Sequence, residues 1–194
     1  FQNYLFRNYI DSDITPIDIE YNVPSESNSN RKGRPDIIGL SDSSISLIEV
    51  KYNANSLVGA AGVIEHTKDF IELVYGDSKK QLEEMIEDII EINKLRKKFR
   101  IKPYMQNTKN LIKITYEIIF GIDNVSKYLN KIREMVKSFN DLVITLPKKI
   151  QINNQVVRVE FVSSIIGCNY NKANKIIELN NFGKNSIFYQ IDRG

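Results

Sequence analysis

One cysteine, one histidine and no tryptophan occur in this 194-residue chain. With Cys168 alone, no intrachain disulfide can form, which fits a protein kept in the reducing cytoplasm. Cys168 also has no Cys partner and no His nearby, so it reads as a small core residue rather than a zinc ligand. No nucleophile–histidine–acid triad can be assembled around His66; a helix-surface or partly packed imidazole fits its surroundings better than a general base. There is no Gly-x-Gly-x-x-Gly and no Gly-Lys-Ser/Thr loop, which removes the usual support for nucleotide-triphosphate binding. No apolar run reaches the length of a membrane span and no segment has the form of a signal peptide, so a membrane partner is not expected.

What is present suits an ordinary globular fold. Hydrophobic residues make up 42% of the chain, enough to bury a core without disulfides or structural metals. The length suits one domain, or one domain with a small appendage. The chain begins at Phe1 rather than Met, so further domains or subunits are expected upstream. The net charge of +3 identifies no partner, and the distribution says more. Arg31, Lys32 and Arg34 form a basic loop segment able to track a nucleic-acid backbone. Lys94, Arg96, Lys97, Lys98, Arg100 and Lys102 form a second cluster that reads either as a phosphate contact or as a solvated face.

Hydrophobic periodicity predicts a mixed α/β order. Residues 1–10 read as the end of a helix, and Ile17, Ile19, Tyr21 and Val23 alternate as a strand. Residues 24–33 are rich in Ser and Asn and read as a loop. Two apolar runs, 36–40 and 45–51, flank a polar connector and read as a hairpin. Helices are predicted over 57–75, with Val58, Ala61, Ile64, Thr67, Ile71 and Val74 near helical spacing, and over 79–99, with Leu82, Met85, Ile86, Ile89 and Ile92 on one side. A strand over 111–122, a helix over 124–139 and short strands over 142–146 and 156–162 follow. Residues 161–179 also read as a helix–turn–helix, with a helix over 170–179 and Ile187–Ile191 as a wing.

The hairpin carries the chemistry. Symmetric pairing about Asp42 and Ser43 sets Leu40 opposite Ile45, Ile38 opposite Leu47 and Asp36 opposite Glu49. Opposed residues have Cβ atoms roughly 5 Å apart, and alternation puts Lys51 on the face of Glu49. Two carboxylates and an ammonium thus converge in apolar strands, where charges are costly unless paired or functional. A divalent cation would compensate both carboxylates. Mg²⁺ takes one or two of them and completes its shell with water and phosphate, and Lys51 can then act on the water or the transition state. The competing reading is an ordinary Glu-x-Lys pair on a strand.

Arg34-Pro35-Asp36-Ile37-Ile38-Gly39 followed by Leu47-Ile48-Glu49-Val50-Lys51 closely resembles the second and third motifs of the PD-(D/E)XK nuclease superfamily. Among its members the segment looks most like Holliday-junction resolvases and bacterial defence nucleases related to restriction enzymes. The resemblance implies a restriction-endonuclease-like α/β core with a mixed central sheet flanked by helices, over residues 1–146. Residues 147–194 would then be a small C-terminal α/β extension, helix–turn–helix-like or part of the same domain. It implies Mg²⁺- or Mn²⁺-dependent DNA endonuclease activity, with Asp36 and Glu49 holding the metal, Lys51 supporting hydrolysis, and a homodimer acting on two strands. The superfamily often carries one more acid upstream. The first ten residues offer none; Gln2 is a weak polar substitute and Glu20 a second candidate. A non-catalytic nucleic-acid-binding or oligomerisation module on the same scaffold remains the alternative of a different class.

Overall fold

The computed structural model describes residues 14–19, 35–52, 62–104, 111–122, 125–171 and 176–179. Within them lie seven strands and three helices: β1 (Thr15–Ile19), β2 (Ile37–Leu40), β3 (Ser44–Tyr52), α1 (Val63–Tyr75), α2 (Lys79–Lys98), β4 (Lys113–Ile122), α3 (Val125–Val143), β5 (Lys149–Ile152), β6 (Gln155–Asn171) and β7 (Ile176–Leu179). Six strands form a mixed sheet in the order β1-β2-β3-β4-β6-β5, and β7 pairs with β6 alone. The α/β class expected from the periodicity is therefore observed, with three helices flanking a mixed sheet.

The β1-β2, β2-β3 and β5-β6 pairs are antiparallel, whereas β3-β4 and β4-β6 are parallel. Antiparallel neighbours need only a short turn, and β2-β3 is closed by Ser41 N–H donating to Ser44 O at 3.0 Å. Parallel neighbours need a crossover, which α1 and α2 supply between β3 and β4. In β1 the register slips between Pro16 and Asp18. Its neighbour Gly39 has no room for a Cβ, because the Ile14 side chain occupies that space.

The core gathers alternate strand residues, Ile38 and Leu40 of β2, Ile45 and Leu47 of β3, Ile114, Tyr116 and Ile118 of β4, and Val159 and Phe161 of β6. The buried stripes of all three helices join the same cluster, namely Val63, Phe70, Leu73 and Val74 of α1, Leu82, Met85, Ile86 and Ile89 of α2, and Ile132, Met135, Phe139 and Val143 of α3. Phe70 stacks on Tyr116 at 4.3 Å between centroids, and Phe161 meets Phe70, Tyr116 and Phe139 edge-on. On the opposite face Glu160 pairs with Lys113 and Arg158, as suits a more solvated surface.

Three sequence expectations are corrected. Residues 142–146 are not a strand: α3 continues to Val143, because Phe139 and Val143 prolong its buried stripe by one more turn. The described residues of 170–179 are strand, not helix: β6 runs on to Asn171 and pairs antiparallel with β7, Tyr170 opposite Ile177. The alternation of Val157, Val159 and Phe161 won over the weaker helical spacing that follows, and no helix–turn–helix forms over the described part of 161–179. Ile92 does not join the inward face of α2; it is exposed and the buried residue of that turn is Asn93, whose Oδ1 accepts the Tyr104 N–H at 2.8 Å. The readings of residues 1–10, 24–33 and 187–191 fall outside the described residues.

Candidate functional site

Along the helix-covered face of β3 the side chains run Ile45, Leu47, Glu49, Lys51, two apolar residues and then two charged ones. Strand alternation keeps all four in one row. Ile45 and Leu47 are sealed in the core, and the row ends in Glu49 at 3% and Lys51 at 7% exposure. Such burial is tolerated only when the charges are compensated. They compensate each other: Lys51 Nζ lies 2.5 Å from Glu49 Oε1. A second donor reaches the same oxygen from α1, where His66 Nδ1 lies 3.0 Å from Oε1. Both contacts fall on Oε1, and no contact to Oε2 occurs among the described residues.

Asp36 sits one residue before β2. The pairs Ile37–Ile48 and Ile38–Leu47 keep the register expected from the turn, and one further step along it would set Asp36 opposite Glu49. The hairpin ladder ends at Ile37, and the Asp36 side chain takes over by accepting the Val50 N–H on Oδ2 at 2.7 Å. Burial pushes the Asp36 carboxyl up from 3.8 to about 6, and the charge of Glu49 adds to the rise. The Val50 N–H, Lys51 and His66 pull in the other direction. Burial also holds the Tyr116 phenol well above its usual range; the Glu49 charge adds to this and the Thr67 hydroxyl opposes it.

The donor set suits a hard divalent cation. Two carboxylates supply oxygen, the preferred donor of Mg²⁺ and Mn²⁺, and Glu49 Oε2 takes no ion pair or hydrogen bond among the described residues. Among the described residues no group of three or more acid, histidine or cysteine side chains is arranged to hold a metal ion, so an ion here would complete its shell with water and substrate oxygens.

Of the residues singled out from sequence, Asp36, Glu49 and Lys51 come together. Gln2, Glu20, Arg31, Lys32 and Arg34 lie outside the described residues. In the second basic cluster, Arg96 is engaged within the chain: its guanidinium lies 3.9 Å over the Tyr104 ring and its Nε donates to Lys102 O at 2.8 Å. Lys94 pairs with Glu91 at 3.2 Å.

His66 joins the site as a partly packed imidazole, one of the two roles its sequence context favoured. The stripe of Ile64, Thr67, Ile71 and Val74 leaves His66 well off the inward face. The buried stripe is Val63, Thr67, Phe70, Leu73 and Val74, rotated from it by about 70° at 100° per residue. On the observed stripe His66 lies at the edge of the buried face. The signal was present in the aromatic Phe70, which the expected stripe left out.

No helix among the described residues is long and apolar enough to cross a membrane. Comparison with protein-family models, with curated proteins and with solved structures found no match to this chain.

Proposed function

We propose that this protein is a metal-dependent nuclease of the PD-(D/E)XK type that hydrolyses DNA phosphodiester bonds. The observation that carries the reading is the hairpin end, where the Asp36 carboxyl accepts the Val50 N–H on the strand that carries Glu49, and Lys51 is buried against Glu49. The order β1, β2-β3 hairpin, α1, α2 and then a parallel β4 also fits the restriction-endonuclease-like core that the motifs resemble.

Asp36 and Glu49 would hold Mg²⁺ or Mn²⁺. A bound ion supplies positive charge to the phosphoryl oxygens and acidifies a coordinated water. Lys51 contributes a second positive charge to the transition state, or orients the attacking water. In the reaction a water oxygen bonds to phosphorus, one P–O ester bond breaks, and the leaving oxygen takes a proton. A defence endonuclease of the restriction type, acting as a dimer, is the leading form, with junction resolution second.

One observation favours a different class. Lys51 already neutralises Glu49 and the His66 ring also contacts it, as in a purely structural cluster, which would suit a non-catalytic nucleic-acid-binding module. Cleavage of plasmid, linear and branched DNA in Mg²⁺, Mn²⁺ or EDTA separates the two. Catalysis predicts metal-dependent cutting that falls by roughly two orders of magnitude or more in Asp36→Asn, with the preferred DNA choosing between the two enzyme forms. DNA binding without cutting, equal in parent and variant, supports the module instead.

A further inference from the structure

We propose that His66 is a positioning residue for the metal-binding carboxylate of Glu49: its Nδ1–H, together with Lys51 Nζ, pins Oε1 and so presents Oε2 to the ion. The inference rests on the metal-site reading above and adds a residue from a different element to it.

A glutamate side chain has three rotatable bonds, and a metal-binding oxygen is effective only when its direction is fixed before the ion arrives. Lys51 alone fixes it poorly. It comes from the same strand two residues along, and its ammonium is a point charge on a flexible stem. His66 brings a rigid ring from α1. The helix is anchored by Val63, Thr67 and Phe70 in the core, and the His66 backbone N–H is bonded to Gly62 O at 3.2 Å. Two donors on two elements therefore converge on one oxygen of a side chain only 3% exposed. The 31% exposed imidazole directs Nδ1 at Glu49, an orientation that serves a hydrogen bond in either charge state of the ring. Partners that orient metal ligands commonly contribute about 10–100-fold in metal affinity.

The test is Mn²⁺ binding to the EDTA-stripped full chain by calorimetry, without DNA, for the parent and for His66→Ala, His66→Asn and His66→Gln, with thermal melts in EDTA to verify folding. The amide nitrogen of Asn falls near the place of Nδ1, whereas that of Gln falls near Nε2. His66→Ala is expected to weaken Mn²⁺ binding about 10–100-fold, His66→Asn to recover most of the loss, and His66→Gln to recover little. If His66→Ala does not fold, the Asn and Gln variants decide. Parent-like affinity in His66→Ala, or equal affinities for the Asn and Gln variants, overturns the inference and leaves the metal site standing. Failure of the parent to bind Mn²⁺ overturns the metal site, and this inference with it.

Discussion

Glu49 and Lys51 are two charges buried in one strand, and the cost of separating them exceeds the benefit of having both. Removing one partner leaves an uncompensated ion in the interior, typically costing about 3 kcal/mol or more, whereas replacing both can be nearly neutral. Lys51→Met should therefore lower stability by about 3 kcal/mol in urea denaturation, and the double change Glu49→Gln with Lys51→Met should regain most of it. Additive losses would mean that the two side chains are stabilised separately. Asp36 gives a second residue-level expectation. Its folded-state carboxyl sits at about 6, above the unfolded value of 3.8. A carboxyl raised in this way stabilises the fold below the unfolded value, and that stability is lost as pH rises through about 6. Two units correspond to roughly 3 kcal/mol, which partial exposure of Asp36 reduces to about 1–2 kcal/mol. Asp36→Asn mimics the protonated form. In EDTA its stability relative to the parent should change little near about pH 4 and improve by about 1–2 kcal/mol by about pH 7.5. A difference that is flat with pH would contradict the burial account.

At the scale of elements, helix ends show where the sequence departs from local preference. α2 closes with Ile101 N–H donating to Arg96 O at 2.8 Å and Arg100 N–H to Lys97 O at 3.1 Å, the paired bonds of a Schellman motif. Its left-handed position is held by Arg100 at φ 58°, where glycine is preferred. Arg100→Gly should raise stability by about 0.5–1 kcal/mol in thermal or urea unfolding, relieving the Cβ strain less the extra unfolded-state entropy. A loss would show that the arginine side chain makes up for its backbone. The Asn153-Asn154 pair, both at positive φ, forms the two-residue β5-β6 turn with residues that tolerate it. The local elements were largely legible because each carries its own period: the β2-β3 hairpin followed from two apolar runs about a polar turn, and its register held at Leu40–Ile45 and Ile38–Leu47. What misled was ambiguity of phase and of length. The α1 stripe was read one position off, the end of α3 looked like a strand because Leu142, Val143 and Ile144 are β-compatible in isolation, and β6 outran its alternating segment.

At the scale of the whole molecule, the candidate site was legible in part for a related reason. Asp36, Glu49 and Lys51 lie within sixteen residues and one hairpin, so their meeting is local. His66 reaches them only because α1 packs on the sheet with Phe70 against Tyr116, a contact between segments that no short-range pattern encodes. The order β3-β4-β6 is likewise set by parallel pairing across crossovers, with no turn to announce it. This dependence yields a test that separates packing from site geometry. Phe70 and Phe139 are both buried aromatics that meet Phe161, one from α1 and one from α3. Truncation of either to alanine should cost about 3–5 kcal/mol in urea denaturation. Their effects on Mn²⁺ affinity, measured where both variants remain folded, should differ. Phe70→Ala loosens the helix that aims His66 at Glu49 and should weaken binding severalfold. Phe139→Ala loosens α3, which has no residue at the site among those described, and should leave binding near the parent value. Equal weakening by both would mean that the site responds to overall stability, and that the seating of α1 has no special part in orienting Glu49.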